Sequence, residues 1–297
     1  MRHVYRILAL AAAMGLCLAV PPAGATTWGL KSKAGQTEAD PSYPPTHLYR
    51  FDETPGTLTD LGPVTVAGGE VDADGLACTG AWGLYAFRLT KNPGTGAVDS
   101  SLITINPANA TATTIGSEMT GRNIRGAAFD ASGTLWALDA ANDTLLTVNP
   151  ATASVATEVG LTLGGSGFNL WTGTDIAYRP ATSTLYMTNV EDIYRVTPGG
   201  AMTCLYTDTG QQLVGAAFSQ AAAADDLSGF EVNSSDDVFA YDVDAGFSRS
   251  VLYPNIIPAF NAGRGDLAAD PVPEPVTMAG LMLGMGALGG YIRRRNA

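Results

Sequence analysis

The chain has 297 residues, of which 35 are glycine and 17 are proline, and charged residues make up 15% of it. This composition is typical of a turn-rich chain with few long helices, and 46% apolar residues is too many for an intrinsically disordered chain. Residues 26–270 carry 11 lysines and arginines against 27 aspartates and glutamates, a formal charge of −16. Because nucleic-acid binding depends on clustered basic side chains, nucleic acid is excluded as a partner.

Residues 1–25 have the order of a secretory signal peptide. Arg2 and Arg6 precede an uncharged apolar run over residues 7–20, and Ala23 and Ala25 fit the small-residue pattern that signal peptidase reads. We therefore expect cleavage after Ala25 and export across the inner membrane.

Residues 26–270 contain an internal repeat, which predicts their fold. Residues 102–116 and 145–160 each read as a β-branched strand, an Asn-Pro turn and a second strand. A short strand of small residues precedes each such hairpin. Its alanines recur at spacings of 51, 49 and 40 residues, at Ala77, Ala128, Ala177 and Ala217. This spacing predicts one four-stranded blade of a β-propeller per repeat.

The two ends of this region complement each other. Residues 27–61 supply the last three strands of a blade without a small first strand, and residues 265–270 supply that strand, with Ala268 lying 51 residues after Ala217. We predict an all-β fold, one domain over residues 26–270, with five blades closed by pairing of the terminal strands. Six blades, one of them degenerate, is the alternative. The repeats resemble those of bacterial extracytoplasmic propellers of the YVTN and NHL type.

This arrangement of strands also bears on the cysteines of the exported region. Cys78 falls on an inner strand and Cys204 on an outer strand two blades away. Their Cα atoms should therefore exceed the ~7 Å limit for a disulfide, and we predict free thiols.

The C-terminal residues 271–297 form a segment of three parts. Val272, Pro273, Glu274 and Pro275 precede 17 uncharged residues at 276–292, and Arg293, Arg294 and Arg295 follow. As a helix the uncharged run would be about 25 Å long, enough for a short transmembrane span with the arginines on the cytoplasmic side.

This ending resembles the PEP-CTERM sorting signal of exported Gram-negative bacterial proteins. The resemblance implies recognition by an exosortase, a membrane-embedded cysteine protease, and removal of the tail near Pro273, Glu274 and Pro275. The protein would be anchored transiently and then reach the outer surface or extracellular matrix. A permanent C-terminal anchor is the alternative.

Sequence motifs for catalysis and metal binding are sparse in residues 26–270. His47 is the sole histidine there, and Gly164–Phe168 lacks the spacing of a serine nucleophile turn. No zinc-binding spacing of histidines or cysteines occurs. Glu70, Asp72 and Asp74 imitate the start of a calcium loop, but Ala81 takes the place of its final acid. We predict no cofactor, with calcium as the alternative.

One channel mouth is the best candidate for a site, since loops entering the inner strands converge there. The predicted blades bring Asp74, Arg125, Asp175 and Asp266 to this mouth. We favour a surface or matrix protein whose propeller binds a ligand or partner or has a structural role.

The alternative function is a glycosidase acting on extracellular polysaccharide, because paired carboxyls can perform its chemistry and propeller glycosidases exist. A carbohydrate-binding mouth would expose aromatic side chains, for which Phe168, Trp171 and Tyr43 are the candidates.

Overall fold

The computed structural model describes residues 26–32, 45–52, 57–79, 83–171, 173–210, 213–218, 226–231, 238–253 and 265–269. The predicted signal peptide and sorting segment lie outside these residues. Across the described ranges, no helix is long and apolar enough to cross a membrane.

The described strands form five sheets, each built on four antiparallel strands that are the blades of a propeller. Blade 1 contains β1 (Thr26–Ser32), β2 (Thr46–Asp52) and β3 (Thr57–Pro63), and a short hairpin of β4 (Thr65–Val66) and β5 (Gly69–Glu70) follows it. Blade 2 contains β6 (Asp72–Cys78), β7 (Leu84–Lys91), β8 (Val98–Ile105) and β9 (Thr111–Thr114). Blade 3 contains β10 (Ile124–Phe129), β11 (Leu135–Asp139), β12 (Thr144–Val148) and β13 (Val155–Gly160).

A second short hairpin, β14 (Thr162–Leu163) and β15 (Ser166–Gly167), leads into the remaining blades. Blade 4 contains β16 (Asp175–Arg179), a 3₁₀ turn at Pro180–Thr182, β17 (Thr184–Asn189), β18 (Asp192–Val196) and β19 (Ala201–Thr207). Blade 5 contains β20 (Leu213–Phe218), β21 (Leu227–Glu231), β22 (Val238–Asp242) and β23 (Ser248–Tyr253). The last strand, β24 (Gly265–Ala269), returns to blade 1.

The innermost strands β24, β6, β10, β16 and β20 pack against one another in a ring. β24 closes this ring by antiparallel pairing with β1, where Trp28 lies opposite Ala268 and Leu30 opposite Asp266. The structure therefore confirms the predicted closure and the five four-stranded blades.

Apolar side chains between neighbouring blades form the core of the ring. Trp28 and Leu76 belong to the cluster between blades 1 and 2, and Phe51 and Leu267 to the cluster between blades 5 and 1. The described residues of the inner strands are almost all buried, because each inner strand is enclosed by both neighbouring blades. Alanine suits these strands because interiors are close-packed and the strands converge on the axis.

The short hairpins cover the outer edges of two blades, a feature that the sequence repeats do not predict. β4 pairs in parallel with β9 on blade 2, and β14 pairs in parallel with β19 on blade 4. Such pairing removes an exposed strand edge, which is a common site of aggregation.

Cys78 and Cys204 lie where the predicted blades put them. Cys78 is buried on β6, Cys204 is exposed on β19, and neither forms a disulfide. The prediction of free thiols is confirmed.

Candidate functional site at the propeller axis

The structure brings Asp74, Arg125, Asp175 and Asp266 together at the propeller axis, and we call these four residues the axis cluster. Nη1 of Arg125 donates to Oδ2 of Asp74 over 3.2 Å. The carboxyl groups of Asp175 and Asp266, which we call the carboxyl pair, hydrogen-bond to each other.

The axis cluster is buried inside the ring. Asp175 and Asp266 have 0% exposure, Arg125 has 2% and Asp74 has 5%. The sequence placed these residues beside an open mouth, whereas the structure packs their side chains among the inner strands. Their role as a binding site stays a prediction.

The carboxyl pair occupies one position of the repeat, two residues before the shared alanine. Blades 4 and 1 have Asp175 and Asp266 there, whereas blades 2, 3 and 5 have glycine, at Gly75, Gly126 and Gly215. β6, β10 and β20 each break register close to that glycine, while β16 and β24 pair without a break. Gly75 and Gly215 have φ of 64° and 95°, a conformation that glycine adopts without steric cost.

Each carboxyl of the pair binds two backbone amides and thereby joins two blades. Asp266 accepts the N–H of Leu267 over 2.8 Å in its own strand and the N–H of Leu76 in blade 2. Asp175 accepts the N–H of Ile176 over 2.7 Å and the N–H of Ala216 in blade 5. Leu76 and Ala216 each follow a glycine at a break in register, so the carboxyls satisfy amides where the strand ladders are irregular.

Burial raises the pKa of both carboxyls. The pKa of Asp175 rises to about 7, because burial outweighs its hydrogen bonds. The pKa of Asp266 lies well above its ordinary value because of burial and the neighbouring charge of Asp175. Since an ionised carboxylate only accepts hydrogen bonds, the bond within the pair requires one shared proton.

Gly126 fixes how closely blades 3 and 4 approach beside the pair. A Cβ atom at Gly126 would lie 2.6 Å from Cα of Asp175 and 2.8 Å from the backbone nitrogen of Ile176. Backbone atoms cannot move aside as a flexible side chain can, so this contact requires glycine.

The acidic segment that imitates a calcium loop is spread over two strands. Glu70 is exposed on β5, while Asp72 is buried on β6 and accepts a hydrogen bond from the hydroxyl of Thr46 over 3.1 Å. Among the residues that the structure describes, no group of three or more His, Cys, Asp and Glu is arranged to hold a metal ion. The expectation of no cofactor stays a prediction.

Two of the candidate aromatic residues, Phe168 and Trp171, lie in the described part of the chain and pack against apolar clusters. Phe168 packs edge-on against Tyr194 with ring centroids 5.2 Å apart, and Trp171 packs on the core between blades 5 and 1. Tyr43 lies outside the described residues. His47 bonds Asp60 over 3.0 Å at the start of β2.

Sequence reasoning missed a second polar cluster, on blade 3. Arg122 bonds Asp139 over 3.0 Å and Glu158 over 2.6 Å, and Asp139 also accepts the backbone N–H of Asn123. Asp139 is fully buried, while the side chain of Glu158 is 38% exposed. No motif signals this cluster, since its members lie up to 36 residues apart.

No protein-family model and no curated protein sequence matches this chain. A protein of unknown function from Bacteroides thetaiotaomicron is similar in structure, with TM-score 0.52 and 15% identity over 81% of this chain and 65% of its own. This chain thus spans less than two thirds of that protein's length.

Two enzymes of known structure are more distantly similar. Virginiamycin B lyase from Staphylococcus aureus has TM-score 0.40 and 14% identity over 79% of this chain and 72% of its own. Glutaminyl cyclase from Myxococcus xanthus has TM-score 0.42 and 17% identity over 69% of this chain and 87% of its own. The Bacteroides protein supports the propeller fold, and none of the three similarities assigns a function, because one fold hosts many activities.

Proposed function

We propose that this protein is an exported propeller of the bacterial outer surface or extracellular matrix, and that its ring is a non-catalytic scaffold. The burial of the axis cluster carries the second part of the proposal. A catalytic carboxyl must reach a substrate, and Asp175 and Asp266 instead have 0% exposure and accept hydrogen bonds from backbone amides.

The glycosidase alternative fits this geometry poorly. Glycosidases hold their two catalytic carboxyls about 5 to 9.5 Å apart, with the sugar between them. The carboxyls of Asp175 and Asp266 hydrogen-bond directly, which leaves no room for a sugar. Any ligand, such as an extracellular polysaccharide or a protein, would then bind the rim of the blades.

The sequence of the two ends supports export and sorting. Signal peptidase would cut after Ala25, and an exosortase would recognise Val272, Pro273, Glu274 and Pro275. The run at 276–292 and the three arginines after it would hold the substrate in the membrane at a fixed depth until cleavage. The two proteases and the membrane are therefore the proposed partners.

Intact-mass spectrometry of the protein recovered from the cell surface and medium tests the sorting proposal. In a host that has an exosortase, we expect the mature chain to begin at Thr26 and to lack residues from about 276 onward. Replacing Arg293, Arg294 and Arg295 by glutamine should impair membrane retention and sorting, while replacing the exposed Arg195 on blade 4 should not. Surface protein with an intact C-terminus would contradict sorting and favour a permanent anchor.

An assay on extracellular polysaccharide tests the scaffold proposal separately. We expect no cleavage by the wild-type protein. Cleavage that the variants Asp175→Asn and Asp266→Asn abolish, while both retain the wild-type circular dichroism spectrum, would show that the axis cluster is catalytic.

A further inference from the structure

We propose that the carboxyl pair is a proton-operated lock on β24, the strand that closes the ring. One shared proton holds Asp266 to Asp175, and loss of that proton loosens β24. This proposal rests on the geometry of the ring and is independent of export and sorting.

The hydrogen bonds of the pair require this proton. Asp175 and Asp266 bond to each other, and their oxygens also accept the amides of Ile176, Ala216, Leu267 and Leu76. The amides supply no hydrogen for the bond between the two carboxyls, and two ionised carboxylates cannot form it.

The position of Asp266 makes this bond important for closure. β24 is joined to blade 1 by its ladder with β1, and Asp266 ties it to Leu76 of blade 2 and to Asp175 of blade 4. Without the proton, two negative charges would lie side by side with 0% exposure. Buried like charges repel strongly, so β24 would lose its tie to blade 4.

Other charged groups near the carboxyl pair also influence its ionisation. Asp74 faces the pair and raises the pKa of both carboxyls, while Arg125 bonds Asp74. β20 and β17 carry no charged residue. The other charged residues on the elements packed against β16 and β24 are Asp72 on β6, Asp139 at the end of β11, Arg179 at the end of β16, Lys31 on β1 and Glu231 on β21.

The sign of the pH dependence follows from the raised pKa values. In the unfolded chain an aspartate loses its proton near pH 4, whereas the folded pair retains one proton to higher pH. The stabilisation by the lock is therefore complete below about pH 4 and is lost as pH rises through the pKa of the folded pair. Between these limits, the folding equilibrium constant should fall by up to about tenfold per pH unit.

Urea unfolding of the full chain from about pH 5 to about pH 8 tests the lock. Histidine ordinarily titrates in this range, so the comparison uses a background in which both histidines of the chain, His3 and His47, are replaced by glutamine. We expect the folding constant to fall with pH in this background and to stay nearly constant when Asp175→Asn and Asp266→Asn are combined, because burial alone would keep the pKa of either remaining carboxyl raised, whereas two amides do not titrate. The same slope in both proteins would overturn the proposal.

Hydrogen exchange of the wild-type protein provides a second measurement that needs no variant to fold. After correction for the chemical exchange rate, protection of residues 265–269 should fall on going from about pH 5 to about pH 8. Protection of β11, which is the second strand of blade 3, should fall less. Equal changes in the two strands would also overturn the lock.

Discussion

The inner strands differ at a single repeat position, and the difference explains how the blades are joined. Blades 4 and 1 have aspartate there and regular strands, whereas blades 2, 3 and 5 have glycine beside a break in register. Each aspartate binds a backbone amide in the next blade of the ring, and that amide belongs to the residue that follows the glycine. The aspartate in one blade therefore compensates for the break in register in the next blade.

Blade 3 is the exception, since the blade before it has Gly75 instead of an aspartate at this position. The ion pair of Arg125 with Asp74 joins it to blade 2, where the backbone N–H of Ile124 also donates to Oγ of Ser100, and the close contact at Gly126 joins it to blade 4. The comparison therefore predicts that the contacts of blade 3 with its neighbours depend on an ion pair and close packing, whereas the contacts of blade 1 with blade 2 and of blade 4 with blade 5 depend on carboxyl–amide bonds.

Loss of the Arg125 charge should have the largest effect. Arg125→Met keeps the length of the side chain but removes the cation from a buried carboxylate, which we expect to cost about 4 kcal/mol of unfolding free energy. The exposed Arg195→Met is the matched control and should cost no more than about 0.5 kcal/mol. Equal losses in urea unfolding would contradict a role of the Asp74 pair in joining blades 2 and 3.

A methyl group at Gly126 should have the next largest effect. Gly126→Ala places Cβ against the backbone of Asp175 and Ile176, and we expect a loss of about 3 kcal/mol. Gly167→Ala is the control, because a Cβ atom there meets nothing within 4 Å. Thermal unfolding of both variants measures the difference. A stable Gly126→Ala protein would show that blades 3 and 4 can move apart at low cost.

Loss of the Glu158 carboxylate from the polar cluster on blade 3 should reduce stability less. The pH dependence of this stabilisation should be opposite to that of the carboxyl pair. Hydrogen bonding to Arg122 lowers the pKa of Glu158, so its stabilisation is present above the unfolded pKa and is lost as pH falls. Because Glu158 is partly exposed, Glu158→Gln should cost at most about 1 kcal/mol near pH 7 and less near pH 3. Unfolding curves at both pH values check this, and a loss that grows with acid would contradict it.

The sequence predicted the ring because its alanines and hairpins repeat with the spacing of a blade. The missing first strand of residues 27–61 and the spacing of Ala268 identified the closing strand, and the same alignment brought Asp74, Arg125, Asp175 and Asp266 together. The sequence could not predict their burial, since that depends on how closely neighbouring blades approach. It also missed β4, β5, β14 and β15, because strands of two residues have no periodicity.

The central claim is that the axis carboxyls hold the ring together through a shared proton, and infrared difference spectroscopy tests it most directly. At about pH 6, below the raised pKa of Asp175, the wild-type protein should show the carbonyl band of a protonated carboxyl group. Replacing both Asp175 and Asp266 by asparagine should remove this band, and Asp244→Asn should leave it, because hydrogen bonding to Arg179 lowers the pKa of Asp244. A wild-type spectrum without a protonated carboxyl band would contradict the account.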